Sequence, residues 1–215
     1  VERREVKHYE RWWENNLSRR RAEFSTWLAD SDVSSRKAVG SVVDAIAAEG
    51  QNGRMVDVLE CGPGTYLDWE TIWSQRPAVC YSAVDVTPTI VEDGRKRGLD
   101  DVRCGSIEAL PYPANCMDVV YCRHVLEHLP GYKTALLEMR RVARRAAVAV
   151  FWRLDTTATK DVILWNTVSD VPDTYHNMYS QAAISAFLET AEVPHTWKQA
   201  NTDWLLIMHG KRGRL

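Results

Sequence analysis

The sequence predicts an α/β fold: a doubly wound, mostly parallel sheet of seven strands with an antiparallel last strand, preceded by an N-terminal helical arm. Three observations carry this. Between residues 55 and 152, short β-branched or apolar runs alternate with helical patterns, which is the order of a parallel sheet covered by helices. Those runs are apolar on both faces, as in Ala146-Ala147-Val148-Ala149-Val150-Phe151-Trp152, which suits strands buried from both sides. The last two runs are separated only by Asn201-Thr202-Asp203, a length that fits an antiparallel turn and is too short for a crossover.

The elements follow in order. Residues 1–30 set Tyr9, Trp12, Trp13, Phe24 and Trp27 among Arg and Glu and read as one or two helices. Val39, Val42, Val43, Ile46 and Ala47 have helical spacing, with Ser34 or Ser35 as a candidate N-cap and Gly50 as a candidate stop. Met55–Leu59 is the first strand; a glycine turn and a helical stretch over 66–75 come next, then a strand over 79–86 and a helix over 89–97. Short strands are expected at 102–104 and 117–122, a helix over 125–143 and a strand over 146–152. The segment 153–180 is mixed and aromatic; a helix at 181–190 and strands near 195–200 and 204–210 complete the chain.

The 215 residues, 45% hydrophobic and 26% charged, are the size and make-up of one globular domain. A net charge of −2 gives no global reason to seek nucleic acid or an anionic membrane. Five cysteines, at 61, 80, 104, 116 and 122, are odd in number and form no C-x-x-C pair, so they are expected to be reduced thiols, mostly in apolar surroundings. No apolar stretch approaches the roughly 20 residues of a membrane span, and the N-terminus shows no signal core. A soluble cytoplasmic protein is expected.

Val58-Leu59-Glu60-Cys61-Gly62-Pro63-Gly64 falls at the carboxyl end of the first strand, where open α/β sheets bind ligands. Glycines there let the backbone approach a ligand closely. Leu67 stands where G-x-G-x-x-G would place its third glycine, and Glu60 would set a negative charge against a pyrophosphate. A cationic ligand fits better than a dinucleotide. Asp85 ends the second strand, 25 residues after Glu60, and an acid there can accept hydrogen bonds from both hydroxyls of a ribose.

Further on, the chain reads Gly105-Ser106-Ile107-Glu108-Ala109-Leu110-Pro111-Tyr112, then Cys116-Met117-Asp118-Val119-Val120-Tyr121, then His124-Val125-Leu126-Glu127-His128-Leu129. With the loop at Glu60 these blocks resemble the class I, Rossmann-like S-adenosylmethionine-dependent methyltransferases, specifically the small-molecule type with the VLEHL motif, over about residues 35–152. The resemblance implies S-adenosylmethionine as cofactor. It assigns Glu60, Gly62 and Gly64 to the methionine moiety, Asp85 to the ribose, Ser106 and Ile107 to the adenine, and Arg123 to the region of the sulfonium, with Cys61 and Val86 as further cofactor-binding residues. Ser106 stands where the family usually has Asp, so the usual carboxylate acceptor for the adenine amino group is replaced by a hydroxyl.

His124-Val125-Leu126-Glu127-His128 also spells H-x-x-E-H, which on a helix would put two histidines on one face for zinc. A zinc site would leave the Glu60 loop and Asp85 without a role, and no metal is expected. Under the methyltransferase reading His124 is the candidate catalytic base or an orienting donor, with packing as the alternative for both histidines. Methyl transfer needs the acceptor aligned and desolvated. Tyr9 and Trp13 of the arm, and Trp152, Tyr175 and His176 of the later segment, are the candidate acceptor-site residues. The chain therefore divides into an arm or lid (1–33) and a cofactor-binding domain (34–215) with 153–180 as a substrate-cap insertion. The expected reaction is methyl transfer to an O or N atom of a small-molecule acceptor. An RNA or protein acceptor and a non-catalytic cofactor sensor are the alternatives; Arg19-Arg20-Arg21 is read as a solvated helix face more than a nucleic-acid contact.

Overall fold

A computed structural model describes residues 15–19, 33–49, 54–166 and 174–210. Tyr9, Trp12, Trp13, Phe24, Trp27 and Gly50 lie outside these residues. Of the arm, residues 15–19 are helical, and Leu17 packs against the cluster Tyr66, Ala83, Ile90, Val91 and Val102.

The elements in chain order are α1 (Val33–Glu49), β1 (Val56–Cys61), β2 (Val79–Asp85), α2 (Pro88–Lys96), β3 (Asp101–Cys104), β4 (Met117–Arg123), α3 (Lys133–Val142), β5 (Ala143–Phe151), α4 (Gln181–Thr190), β6 (His195–Ala200) and β7 (Asp203–His209). The seven strands form one sheet in the order β6-β7-β5-β4-β1-β2-β3. β1 pairs in parallel with β2 and β4, β2 with β3, and β4 with β5. β7 runs antiparallel to both β5 and β6. The expected sheet, with its antiparallel last strand, is the one observed, and the order reverses between β1 and β4. At such a switch point the chain leaves neighbouring strands toward opposite faces and opens a crevice at their carboxyl ends.

The alternation of side chains divides the core. Leu59, Cys61, Val120, Cys122, Ala147, Ala149, Leu206 and Met208 face Leu136 and Met139 of α3 and Ile184 and Leu188 of α4. Val58, Val119, Tyr121, Val148, Val150 and Leu205 face Val39, Val43 and Ile46 of α1, with Ile72 and Trp73. Both layers are closely packed apolar side chains, which suits a sheet that holds the side chains at its strand ends in place.

Several expectations need correction. α1 begins at Val33, so Ser34 and Ser35 lie in its first turn and do not cap it. The helical stretch expected over 66–75 is present over 67–73 but is not a regular α-helix: Tyr66 before it is left-handed (φ 62), and over Trp69–Trp73 the turn is wide, with Ser74 N donating to Trp69 O at 2.8 Å. The single helix expected over 125–143 is broken. Leu129 is extended (ψ 156) because Pro130 follows, and the helix restarts at Lys133. It ends at Val142 with no loop, Ala143 turning directly into β5; Trp152 lies just beyond that strand. Cys61 and Cys122 are buried as expected, whereas Cys80 and Cys104 are exposed near the sheet edge; none of the five is in a disulfide.

In the segment 153–180, Leu154–Asp155 pairs with Tyr179–Ser180, and Trp165–Asn166 with Thr174–Tyr175. The segment returns onto the turn after β4. There Asn177 N donates to Glu127 O (2.9 Å), Asn177 Nδ2 to Leu129 O (2.7 Å) and the Tyr179 hydroxyl to Leu126 O (3.0 Å). Among the described residues no helix is long and apolar enough to cross a membrane.

Candidate active site

The loop after β1 is built by its dihedrals. Gly62 (φ 71), Gly64 (φ 53) and Tyr66 (φ 62) are all left-handed, in alternation. A Cβ on Gly62 would lie 2.6 Å from Val125 Cγ2, so the loop and the turn after β4 touch through bare backbone. Gly62 N donates to Val84 O (2.8 Å) and extends the β1–β2 ladder by one residue. The Cys61 thiol points into the core, and burial pushes it well above its usual range; only the backbone of Cys61 can face a ligand. Tyr66 accepts a conformation that costs a non-glycine residue about 1 kcal/mol or more. Its ring is fully buried, and its hydroxyl donates to Ile90 O at 2.9 Å.

Glu60 points into the α1 layer and is 3% exposed. It accepts a hydrogen bond from the Tyr81 hydroxyl (2.8 Å). Burial, reinforced by the nearby Asp68 carboxylate, pushes Glu60 up to about 8 against the pull of Tyr81 and Arg123. Asp68 is also buried, and three donors converge on it: Arg36 Nε (2.8 Å), the Tyr121 hydroxyl (2.6 Å) and Arg123 Nε (2.7 Å). Although burial opposes ionisation, the Arg123 and Arg36 guanidiniums and the Tyr121 hydroxyl hold the Asp68 carboxyl well below the usual range. Arg123 is thus fixed at the end of β4 through Asp68. With Glu60 neutral, the set Glu60, Asp68, Arg36 and Arg123 carries one net positive charge.

Asp85 ends β2 and is buried; its Oδ1 accepts from Thr87 N at 2.8 Å. Burial pushes it up to about 6, opposed by backbone N–H groups of Thr87, Gly64 and Val86. The Gly64 N–H so ties the loop after β1 to the end of β2. Ser106 follows β3, its Oγ accepting from Glu108 N (3.1 Å), while the Ile107 side chain packs into the core beside Leu110. Val86 and Ser106 are half-buried.

His124 is left-handed (φ 56), with its N–H on Val150 O (3.0 Å), so its ring leaves the sheet at the carboxyl end of β4. Nε2 lies 3.3 Å from Asp203 Oδ2. A row of rings continues from it: His124 to Trp152 (6.3 Å between centroids), Trp152 to His176 (6.2 Å) and His176 to His128 (5.1 Å). Arg153 stacks over Trp152 (5.0 Å) and donates to His176 O (3.3 Å). Burial and Arg153 lower His176, leaving it neutral at neutral pH. His128 Nδ1 meets Tyr175 O at 2.9 Å. Beneath the row, Glu127 is fully buried; Oε1 accepts from Trp152 N (2.9 Å), and burial pushes the carboxyl up to about 7. Trp152 and His176, two of the expected acceptor-site residues, therefore share one wall with His124, and Tyr175 meets that wall through its carbonyl on His128; Tyr9 and Trp13 lie outside the described residues.

The H-x-x-E-H run is one left-handed residue followed by a single tight turn over Leu126–His128, so its histidines do not share a helix face: one meets Asp203, the other Tyr175. Among the described residues no three His, Cys, Asp or Glu side chains are grouped to hold a metal ion. The cleft lined by Asp57, Cys80, Tyr81, Leu99, Asp101 and Met117 lies toward the amino ends of the strands, away from the loop; of the groups that meet Glu60 and Asp68, Tyr81 lines it. Sequence reasoning passed over Asp68, Tyr81, Glu127 as a carboxyl, and Asp203. Of these only Glu127 lay in a motif.

A glycine loop at a switch point, an acid ending the neighbouring strand and a ring-lined wall beside them define a Rossmann-like enzyme that binds a nucleoside cofactor. Residues 59–151, from β1 through β5, match the family model described as a methyltransferase domain. The chain is accordingly an S-adenosylmethionine-dependent methyltransferase, and S-adenosylmethionine is its cofactor. No curated protein matches the sequence. Among solved structures, one similar fold is the 1,6-didemethyltoxoflavin-N1-methyltransferase of Burkholderia thailandensis, with bound 1,6-didemethyltoxoflavin and S-adenosylhomocysteine. It is 15% identical with a TM-score of 0.59, the match covering 93% of this chain and 87% of that one. The magnesium protoporphyrin IX methyltransferase of Synechocystis, with bound S-adenosylhomocysteine, is 14% identical, TM-score 0.56, over 83% and 84% of the two chains. The 4+2 cyclase SpnF is 16% identical, TM-score 0.57, over 86% and 85%. At such identities the likeness is one of fold, and a cyclase among these structures shows that the fold leaves the acceptor chemistry open.

Proposed function

We propose that this enzyme transfers the methyl group of S-adenosylmethionine to an O or N atom of a small-molecule acceptor in the cytoplasm. The single observation that carries the reading is the wall of His124, Trp152 and His176 at the carboxyl end of β4 and β5, adjoining the Gly62–Val125 contact of the loop. Five thiols, none in a disulfide, suit a reducing compartment.

The residues present fit the cofactor. Gly62 and Gly64, both left-handed, make the loop bare backbone, and a Cβ at Gly62 would strike the Val125 side chain that packs on it. Glu60 beside Arg123 and Asp68 offers both signs of charge to a zwitterionic amino-acid moiety. The buried carboxylate of Asp85 suits a ribose diol. The backbone around Ser106 and Ile107, with the Ser106 hydroxyl, would frame the adenine, and Val86 would flank it.

Bound S-adenosylmethionine supplies a methyl group already activated by positive sulfur. What remains for the chain is to orient the acceptor, keep water out and take its proton. Trp152, held by Glu127 through its backbone N–H, presents a flat apolar face. Neutral His176 and the Arg153 guanidinium give that face polar edges able to hold a planar acceptor bearing a hydroxyl or an acidic group. His124 receives the acceptor proton. In the similar Burkholderia structure the same fold holds 1,6-didemethyltoxoflavin, a small molecule.

The reading is tested by following release of S-adenosylhomocysteine against phenolic, heteroaromatic and amine acceptors, with an RNA oligomer and a mixed peptide pool in parallel. Turnover with planar small acceptors, and its loss in Trp152→Ala with cofactor affinity retained, is expected. Turnover confined to the RNA or the peptides would overturn it.

A further inference from the structure

Asp203 lies 79 residues from His124 in sequence, beyond the stretch that matches the methyltransferase domain, yet its carboxylate reaches the imidazole. Resting on the reading of His124 as proton acceptor, we infer that Asp203 is the positioning residue that fixes the proton-accepting nitrogen of His124 as Nδ1.

An ionised carboxylate only accepts, so the 3.3 Å contact between Asp203 Oδ2 and His124 Nε2 is a hydrogen bond only when Nε2 carries the proton. A neutral imidazole has one N–H, and the lone pair is then on Nδ1. The backbone that carries this carboxylate is fixed in the sheet. Asp203 is the first residue of β7, paired with Ala200 across the Asn201–Thr202 turn, and it is 4% exposed. β5 lies between β4 and β7, with Val150 opposite Arg123 and Phe151 opposite Trp204. The contact therefore bridges the carboxyl end of β5, where Trp152 emerges. The left-handed backbone of His124 turns its ring toward this place. A β-sheet hairpin supplies a better-fixed orienting group than a loop would.

The ionisable groups that bear on the ring are Asp203 from β7 and Glu127 from the turn after β4, whose upward shift by burial His124 opposes; Trp152 packs beside it. In the transfer the C–S bond breaks as the bond from carbon to the acceptor O or N forms. The sulfonium becomes a neutral thioether, and the acceptor proton passes to His124 Nδ1. The positive charge so moves from sulfur to an imidazolium 3.3 Å from Asp203, which needs no proton of its own.

The test is a long-range ¹H–¹⁵N correlation spectrum of histidine-labelled full-length protein, at a pH where the imidazole is neutral, with His124→Gln to assign the signals. The expected spectrum shows His124 protonated at Nε2 and bare at Nδ1 in the wild type, with the preference lost in Asp203→Asn. Protonated Nδ1 in the wild type, or an unchanged tautomer in Asp203→Asn, overturns the inference, and the wild-type spectrum decides even if the variant folds poorly. With an acceptor from the screen above, Asp203→Asn should lower kcat about 10²-fold, with S-adenosylhomocysteine affinity within about twofold. Loss of turnover in His124→Gln with retention in Asp203→Asn defeats this inference alone; full turnover in His124→Gln defeats the base reading beneath it.

Discussion

Binding of S-adenosylmethionine should expel a proton from Glu60. The buried carboxyl is pushed up to about 8 in the free protein, so at about pH 7 roughly one molecule in ten carries the carboxylate. A cationic ligand selects that form, and each pH unit below the pKa costs about 1.4 kcal/mol, or tenfold in affinity. Close to 0.9 proton should therefore be released per cofactor bound at about pH 7. Titration calorimetry in buffers of different ionisation enthalpy measures this number directly. Glu60→Gln is the control, because the ammonium of the ligand also titrates, with a pKa of about 8, and its contribution remains in the variant. Proton release should fall to near zero there. Equal release in both proteins would refute the reasoning, as would no release by the wild type. The sign for stability is opposite. With the folded-state pKa raised above the ordinary 4.5, stability present below that value is lost as pH rises through about 8. The cofactor-free Glu60→Gln protein should then melt higher than the wild type at about pH 8, and nearly alike at about pH 5.

Other outcomes follow from the same geometry. Asp68→Ala leaves Arg36 and Arg123, both nearly buried, without their shared carboxylate, and should cost about 3–5 kcal/mol in urea unfolding; a loss below about 1 kcal/mol would mean that water or other groups replace it. Gly62→Ala drives a methyl group into Val125 at a positive φ and should cost about 1–3 kcal/mol and at least tenfold in cofactor affinity. Adding Val125→Ala should recover only the packing part; full recovery would remove the role given to the dihedral.

How much was legible in the sequence differs between strand and site. β1, β2, β4 and β5 were readable because each carries a β-branched or apolar run, β3 only as the short stretch around Val102, and β6 and β7 because only two residues separate them. The loop residues Glu60, Gly62 and Gly64 and the acid Asp85 were readable because a ligand-binding turn must sit at a strand end. What periodicity misjudged were the breaks. Pro130 interrupts a stretch that keeps helical spacing on both sides, and a left-handed Tyr66 delays the turn after the loop. The partners were hidden for a different reason. Asp68 takes its meaning from Arg36, 32 residues before it, and Arg123, 55 after; Asp203 takes its own from His124. Such pairs are set by sheet order, and no local pattern encodes which strand ends will be neighbours.

The account's central claim is that the loop after β1 and the end of β2 together hold S-adenosylmethionine. One calorimetric comparison tests it most directly: S-adenosylhomocysteine and NAD titrated into the same preparation at about pH 8, where Glu60 is about half ionised. Saturable one-to-one binding of S-adenosylhomocysteine, with none detectable for NAD, is predicted. Equal binding of the two, or heat for NAD alone, would contradict it.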